Sequence, residues 1–201
     1  MRKALFRSCS IARPDAGEMC ESTISTSSAL TITAELDPTF IAPVPIALKM
    51  PGTTGWNRVV ILGGGPAIGI ALEWGLKLTE TSQVTTNAYE PLEFRHGPIS
   101  LCEPGTLVVG LIGGPGAADE VAVVQEAARL GATTWLLVRD ADEAGGTAGE
   151  VSRVGGGLHP AARLPLLVHP AHALALSLAL TRGCDPDAPR HLGQVVILDR
   201  E

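Results

Sequence analysis

The stretch Arg58-Val-Val-Ile-Leu-Gly-Gly-Gly-Pro-Ala67 decides the fold class. Its first half is a short run of β-branched and aliphatic residues, and glycines follow at once, which is typical of a buried strand that ends in a tight turn. Pro66 suits the first turn of a helix, where the backbone N–H that proline lacks would have no partner. We therefore predict a strand over residues 58–62 and a helix over residues 67–81.

The same order of strand, glycine turn and helix recurs further along the chain. Residues 107–112 and 133–138 predict two more buried strands, and residues 117–130 predict the helix between them. Gly131 stands where a left-handed residue would end that helix. This repetition indicates an α/β protein.

The last part of the chain has a weaker pattern. Residues 145–157 are rich in glycine, and we expect a mobile loop there. Residues 164–168 predict a fourth strand, and residues 171–181 predict a last helix that Gly183 ends. Strands that are apolar on both faces indicate a parallel sheet covered by helices on both sides. The sequence therefore predicts a three-layer α/β/α sandwich around a parallel sheet of about five strands.

Composition excludes several classes of protein. The 201 residues include 15 Lys and Arg against 21 Asp and Glu, with a net charge of −6, whereas nucleic-acid binding relies on clustered basic residues. The four cysteines are far apart and form no Cys-x-x-Cys pair, so we expect free thiols in a reducing cytoplasm. We expect no nucleic-acid partner, no metal and no cofactor.

No segment is expected to span a membrane. The longest apolar run, residues 164–180, is shorter than the ~20 residues that a bilayer requires and contains His169 and His172. Arg7 interrupts the apolar stretch that a signal peptide would need. We interpret the two histidines as helix-start and interface residues, because no third metal ligand lies nearby in the sequence. These observations favour a cytoplasmic protein.

The first glycine turn has two interpretations. Gly63, Gly65 and Gly69 nearly match a dinucleotide-binding fingerprint, but the spacing is one residue too long. No Gly-Lys-Ser/Thr sequence follows, which excludes a P-loop. Backbone N–H groups at such a turn could bind a small anion, but a plain tight turn is the favoured interpretation.

Charged residues cluster in and after the first predicted helix. Glu73, Lys77 and Glu80 are spaced to share one helical face. A carboxylate, a guanidinium and an imidazole follow within residues 93–96. An exposed ladder of ion pairs would explain the first group, but carboxylate, ammonium and imidazole are also the groups that move protons on a sugar. Both interpretations remain open on the residues alone.

Three motifs in order carry a resemblance to a known family. They are ALEWGLKLTE at 71–80, NAYEPLEFRHGP at 87–98 and RGCDPDAPRHL at 182–192. They resemble the second SIS (sugar isomerase) domain of the isomerase half of glucosamine-6-phosphate synthases and of related phosphosugar deglycases and deaminases. The resemblance covers residues 56–198 and implies a flavodoxin-like or Rossmann-like α/β fold.

The resemblance also implies a domain organisation. The segment ESTISTSSALT at 21–31 resembles the end of the family's first SIS domain. We therefore expect a leader, a remnant of a first SIS domain and a linker over residues 1–50, and a SIS domain over residues 51–201. The family's phosphate-binding loops belong to the first domain, so we expect them to be missing. Because residue 2 is arginine rather than a nucleophilic cysteine, we expect no glutaminase activity.

The resemblance assigns roles to individual residues. Glu80 matches the glutamate that carries a proton between C1 and C2 of the sugar, and Lys77 matches the lysine one turn earlier. His96 matches the histidine that assists ring opening and that reaches the active site of a neighbouring subunit. These three are the candidate catalytic residues. Ile24 and Thr26 match positions that line the sugar pocket.

Gln194 is the third candidate for contact with the substrate. In Leu192-Gly193-Gln194 it stands where the resemblance to the synthases places the lysine of a closing Leu-Ala-Lys, which forms a Schiff base with the keto sugar. Glutamine cannot form that bond, so glucosamine-6-phosphate synthesis by this route is not expected.

Two functions follow as expectations. The first is an enzyme that isomerises a phosphosugar, or deaminates or deglycates a sugar-phosphate amine, with Glu80 as base and His96 as ring-opening acid or base. The second is a non-catalytic sugar-phosphate-binding module or an inactive remnant, which the missing loops and Gln194 favour. A small phosphosugar is the expected ligand in both. We also expect a homodimer or larger oligomer, because the apolar segments 40–48 and 171–180 cannot be fully covered by one chain.

Overall fold

A computed structural model of the chain describes residues 48–146 and 149–192. The first half of this region contains β1 (Arg58–Gly63), α1 (Ala67–Ser82), β2 (Thr85–Tyr89) and α2 (Pro91–Arg95). The second half contains β3 (Thr106–Leu111), α3 (Ala117–Arg129), β4 (Thr133–Val138), β5 (Glu150–Arg153), α4 (Pro160–Arg163) and α5 (Val168–Thr181). Short 3₁₀ helices span Pro98–Leu101, Ala141–Ala144 and Leu164–Leu167.

The five strands form a parallel sheet in the order β2-β1-β3-β4-β5. Side chains that alternate along the strands divide the core into two layers. On one face, α1 and α5 pack on the sheet through residues such as Trp74, Leu78 and Leu174. On the other face, α2 and α3 pack through residues such as Phe94 and Val124. The predicted α/β/α sandwich around about five parallel strands is confirmed.

Most of the predicted elements are confirmed, with ends that differ by at most three residues. The predicted strand over 164–168 is wrong, because these residues form a 3₁₀ helix that leads into α5. A short apolar run suits a buried helix as well as a strand, and Pro165 lies at the start of this helical turn. The Trp74 indole N–H donates to the Leu167 carbonyl oxygen at 2.7 Å, which fixes this turn against α1.

The expectation of a loop over residues 145–157 is wrong in part, since β5 lies within this range. This edge strand pairs with β4 from Trp135 to Val138. Its buried Ser152 hydroxyl accepts hydrogen bonds from the Trp135 indole at 2.9 Å and from the Lys49 backbone N–H at 2.8 Å. These two bonds fix β5 in the sheet, although its sequence predicts a strand only weakly.

The helical stretch Pro160–Thr181 has a mean hydropathy of 1.5 over its most apolar window and is long enough to cross a membrane by length and composition. The helical stretch is longer than the apolar run over residues 164–180 on which the sequence prediction rests, because the helix begins at Pro160. In the structure, Leu174 and Leu178 of this stretch are buried against α1 and the sheet. Its apolar inner face is thus part of the domain core.

Candidate functional site

Lys77 and Glu80 lie next to each other on α1. Lys77 Nζ is 3.1 Å from Glu80 Oε2, and the two side chains are 31% and 30% exposed. Trp74 and Leu78, which are fully buried, anchor this part of the helix to the sheet. The structure therefore brings these two predicted catalytic residues together as a half-buried ion pair on a rigid element.

The charged face of α1 is also close to the start of α5. Burial lowers the pKa of His172, Lys77 and His169 act in the same direction, and Glu73 opposes them. Since α1 packs along α5, His172 is within electrostatic range of Glu73 and Lys77. The sequence predicts both histidines as helix-start and interface residues. They lie in the first two turns of α5, and their spacing gives no sign of which helix this part of α5 meets.

His96 lies elsewhere in the same chain. It ends α2, is exposed, and follows Phe94, which is buried in the core on the α3 side of the sheet. Its neighbour Arg95 pairs with Glu126 of α3, with Nε and Oε2 at 2.9 Å. Glu80 is on the α5 side. Within one chain, the structure does not bring His96 together with Lys77 and Glu80.

The third motif, residues 182–192, folds against the end of α1. Gln83 ends α1 in a left-handed conformation with φ 55°. The Arg182 guanidinium donates to the Gln83 carbonyl oxygen at 3.4 Å, and the Arg190 guanidinium donates to the Gln83 side-chain oxygen. The Cys184 thiol lies 3.7 Å from the Ser82 carbonyl oxygen. The motif that follows the last helix thus lies close to the turn of α1 that carries Glu80.

The predicted substrate-binding residues Ile24, Thr26 and Gln194 lie outside the described residues. The same is true of most of the predicted N-terminal part, residues 1–50. Their roles stay predictions.

A cavity of about 770 Å³ lies at the carboxyl ends of the strands. We name it the crevice; it is lined by the glycine turns after β1 and β3, by the first residues of α2 and α3, and by residues 159–164. Ligands of open parallel sheets bind at this edge. The first residue of α1, Ala67, lines the crevice, whereas Lys77 and Glu80 lie in the last two turns of this helix, away from the crevice.

Carboxylates of the chain itself occupy N–H groups of both glycine turns. The Gly65 N–H donates to Glu90 Oε2 at 3.3 Å, and the Gly113 N–H donates to Glu120 Oε2 at 3.1 Å. A Cβ at Gly63 would lie 2.5 Å from the Ala67 carbonyl oxygen, so close packing explains this glycine. The structure thus supports the tight-turn interpretation rather than an anion site at these positions.

Comparisons with known proteins agree with the fold. The family model for the SIS domain matches residues 54–144. The glutamine–fructose-6-phosphate aminotransferase (isomerizing) of Streptococcus pyogenes is 34% identical over 153 residues, which cover 75% of this chain and 24% of that protein. The chain spans about a quarter of the length of the curated relatives it matches.

Solved structures show the same relationship. The C-terminal domain of glucosamine-fructose-6-phosphate aminotransferase from Francisella tularensis has a TM-score of 0.61 and 25% identity, covering 65% of this chain and 37% of that chain. Glucosamine-6-phosphate deaminase from Thermotoga maritima has a TM-score of 0.58 and 29% identity, covering 73% and 42%. Residues 54–144 therefore match the SIS domain family, and the chain resembles the C-terminal SIS domain of the isomerizing aminotransferases.

Proposed function

We propose that the chain binds a phosphosugar and moves a proton between C1 and C2 of that sugar. The reaction would be an aldose–ketose isomerisation, or the related deamination or deglycation of a sugar-phosphate amine. The observation that carries this proposal is the half-buried Lys77–Glu80 pair, 3.1 Å apart, in a SIS domain. Relatives named as an isomerizing aminotransferase and as a glucosamine-6-phosphate deaminase support the substrate class.

Glu80 is the proposed base, because a carboxylate can accept a proton from one sugar carbon and return it to the next. Lys77 would position this carboxylate and stabilise negative charge that develops on the sugar oxygens during the transfer. Trp74 and Leu78 fix α1 to the sheet, so the pair is presented from a rigid element. The isomerisation only moves protons on the sugar, whereas deamination or deglycation also consumes one water molecule, which hydrolyses the C–N bond and releases the amine.

His96 is the proposed acid or base for ring opening, supplied by a second copy of the chain. In one chain it lies on the other face of the sheet from Glu80. A contact that brings His96 to Glu80 joins the α2 side of one chain to the α1 side of the other. Leucines are exposed on the outer sides of α1 and α5: Leu72 and Leu76 are 60% and 54% exposed, and Leu176 and Leu180 are 40% and 60% exposed. Identical chains most often pair about a two-fold axis.

A non-catalytic sugar-phosphate-binding module is the second candidate. It is favoured by the crevice, where N–H groups that could bind a phosphate already bind Glu90 and Glu120. Within the described residues, these two N–H groups at the carboxyl ends of the strands are therefore not free to bind an anion. A module of this kind would bind the sugar phosphate beside α1 without catalysing any reaction of it.

The melting temperature of the full chain tests binding in both forms of the proposal. The panel contains fructose 6-phosphate, glucosamine 6-phosphate and other hexose phosphates, with the unphosphorylated sugars as controls. A ligand present at 100 times its Kd stabilises the native state by about 2.7 kcal/mol, which is a readily measured shift. We expect at least one hexose phosphate to raise the melting temperature and its parent sugar not to do so. If no member of the panel raises it, both forms of the proposal fail.

A further inference from the structure

The crevice has the size and the position of a small-molecule site. Its volume of about 770 Å³ is within the range of about 300–1,000 Å³ that is common for ligand pockets. Its walls include the apolar side chains of Pro66, Pro91, Leu92, Leu111 and Leu164. A compact apolar body would be sheltered from water there.

Glu120 is the polar group most firmly built into the crevice. Only 8% of this residue is exposed, and Oε2 accepts the Gly113 N–H at 3.1 Å. Oε1 accepts no hydrogen bond from the described part of the chain. A Cβ at Gly64 would overlap this carboxylate, so the glycine leaves room for Glu120 to reach the turn. Because Glu120 lines the crevice, its second carboxylate oxygen can accept a hydrogen bond from a bound ligand.

The described surroundings of Glu120 do not supply a partner for this oxygen. Burial raises the pKa of Glu120, the Gly113 hydrogen bond lowers it, and the nearby Glu90 raises it again; Arg163 lowers it and Glu143 raises it. Both guanidiniums of the crevice have other partners. Arg163 donates to the carbonyl oxygens of Ile112, Leu137 and Val154 at 2.6, 2.7 and 2.8 Å.

Arg139 is the second of these guanidiniums. Its Nε lies 2.7 Å from Asp140 Oδ2, and its Nη2 lies 3.2 Å from Glu143 Oε1. Four carboxylates line the crevice, and none of them forms an ion pair with any residue that the structure describes: Glu90, Glu93, Asp119 and Glu120. The electrostatics of the crevice therefore disfavour a phosphate and favour a cation.

We propose that the crevice binds a small organic amine, with its ammonium group on Glu120 Oε1 and the Glu90 carboxylate and its compact body against Pro91, Leu92 and Leu164. This site is separate from the proposed phosphosugar site beside Lys77 and Glu80. The inference does not depend on the proposed function, because it rests on the contacts of the crevice alone.

An NMR titration of the full chain tests this site with four probes. Cyclohexylamine, cyclohexanol and cyclohexanecarboxylate have the same ring and differ in charge, and inorganic phosphate is the fourth. The backbone amides of Gly64, Gly65 and Gly113 report on the crevice. We expect cyclohexylamine to shift these amides with a Kd at least tenfold lower than that of cyclohexanol, and we expect no shift with the two anions.

Variants locate the charge that is recognised. Glu120→Gln and Glu90→Gln each keep a similar shape and should weaken cyclohexylamine binding about tenfold, bringing it close to that of cyclohexanol. Glu103→Gln removes the same charge from an exposed residue that pairs with Arg58 and should leave the Kd unchanged. The proposal is overturned if cyclohexylamine binds no better than cyclohexanol, if phosphate shifts the same amides, or if no probe shifts them.

Discussion

Glu80 and His96 lie on opposite faces of the parallel sheet within one chain. The helix that carries Glu80 is buried through Trp74 and Leu78 on the α5 side, and the helix that ends at His96 is buried through Phe94 on the α3 side. The sheet, whose side chains fill both layers of the core, separates the two residues. They can act on one sugar only if two chains contribute them.

This separation predicts an oligomer. Light scattering at micromolar concentration should give a mass at least twice the 20.8 kDa of one chain. The physical reason is that a shared site and the exposed leucines of α1 and α5 both require a second copy. A mass of one chain would contradict the shared site, and His96 would then have no role at Glu80.

The contact surface makes a second prediction. Changing Leu76 and Leu180, which are 54% and 60% exposed, to glutamate should shift the protein to monomers without unfolding it. Burial of one leucine side chain contributes about 1.5–3 kcal/mol, so each change should weaken the dimer at least tenfold. Light scattering with circular dichroism measures both effects.

Leu130 provides the matched control for these leucine variants. It is 49% exposed and follows α3 on the other side of the sheet. Leu130→Glu should keep the oligomer mass. If it dissociates the protein and Leu76→Glu does not, the contact surface is on the α3 side instead.

His172 predicts a pH dependence of stability. Its pKa is below the usual value of 6.5, first because of burial and then because of Lys77 and His169, while Glu73 acts in the opposite direction. The unfolded chain therefore binds more protons than the native chain just below pH 6.5, so the free energy of unfolding falls as pH falls through 6.5. His172→Gln should make this fall smaller.

Urea unfolding at several pH values between 5 and 8 measures the effect. His159→Gln is the control, because this histidine lies in the crevice rather than beside α1. An unchanged pH dependence in His172→Gln would show that His172 does not face the charged residues of α1.

Arg163 predicts a large loss of stability. The residue is 4% exposed, and its guanidinium donates to three carbonyl oxygens that belong to residues at or just beyond the ends of β3, β4 and β5. Arg163→Met leaves the buried Ile112 and Val154 carbonyl oxygens without a donor among the described residues, at a cost of about 1–3 kcal/mol for each unsatisfied group, whereas the Leu137 oxygen keeps its bond from the Ile112 N–H. Chemical unfolding should show a total loss of at least 2 kcal/mol, on the order of two such groups. A loss below 0.5 kcal/mol, which is about the size of an ordinary surface effect, would contradict this structural role.

The sequence predicted the central elements of the fold well, for a physical reason. Strands β1, β3 and β4 are buried on both faces, so they appear as apolar runs between glycines. Strand β2, with the sequence TTNAY, is a partly exposed edge strand and lacks such a run. Strand β5 has only four residues between glycine-rich segments. These two edge strands are recognised by their pairing with a neighbouring strand, and their own sequences do not predict them.

The candidate site was predictable only in part. Motifs identified Lys77, Glu80 and His96, but the faces on which they lie depend on the path of the chain through the sheet. The contact between Glu90 and the Gly65 N–H joins residues 25 positions apart, and no local pattern indicates it. The hydrogen bond between this carboxylate and the glycine turn can be identified only from the three-dimensional structure.

Proton exchange at the sugar carbons shows whether Glu80 carries the proton. The measurement follows deuterium from the solvent into C1 or C2 of fructose 6-phosphate by NMR, with the full chain as catalyst. Glu80→Gln keeps the shape of the side chain but cannot carry the proton, so it should slow the exchange by about 10²–10⁴. The melting-temperature shift with the ligand should remain.

Glu73→Gln is the matched control for this measurement, because Glu73 is a glutamate on the same face of α1 and makes no ion pair within the described region. It should keep most of the wild-type exchange rate. The account predicts exchange by the wild-type chain, near-complete loss in Glu80→Gln and retention in Glu73→Gln. Equal rates for wild type and Glu80→Gln, or no exchange by the wild-type chain, would contradict Glu80 as the proton carrier.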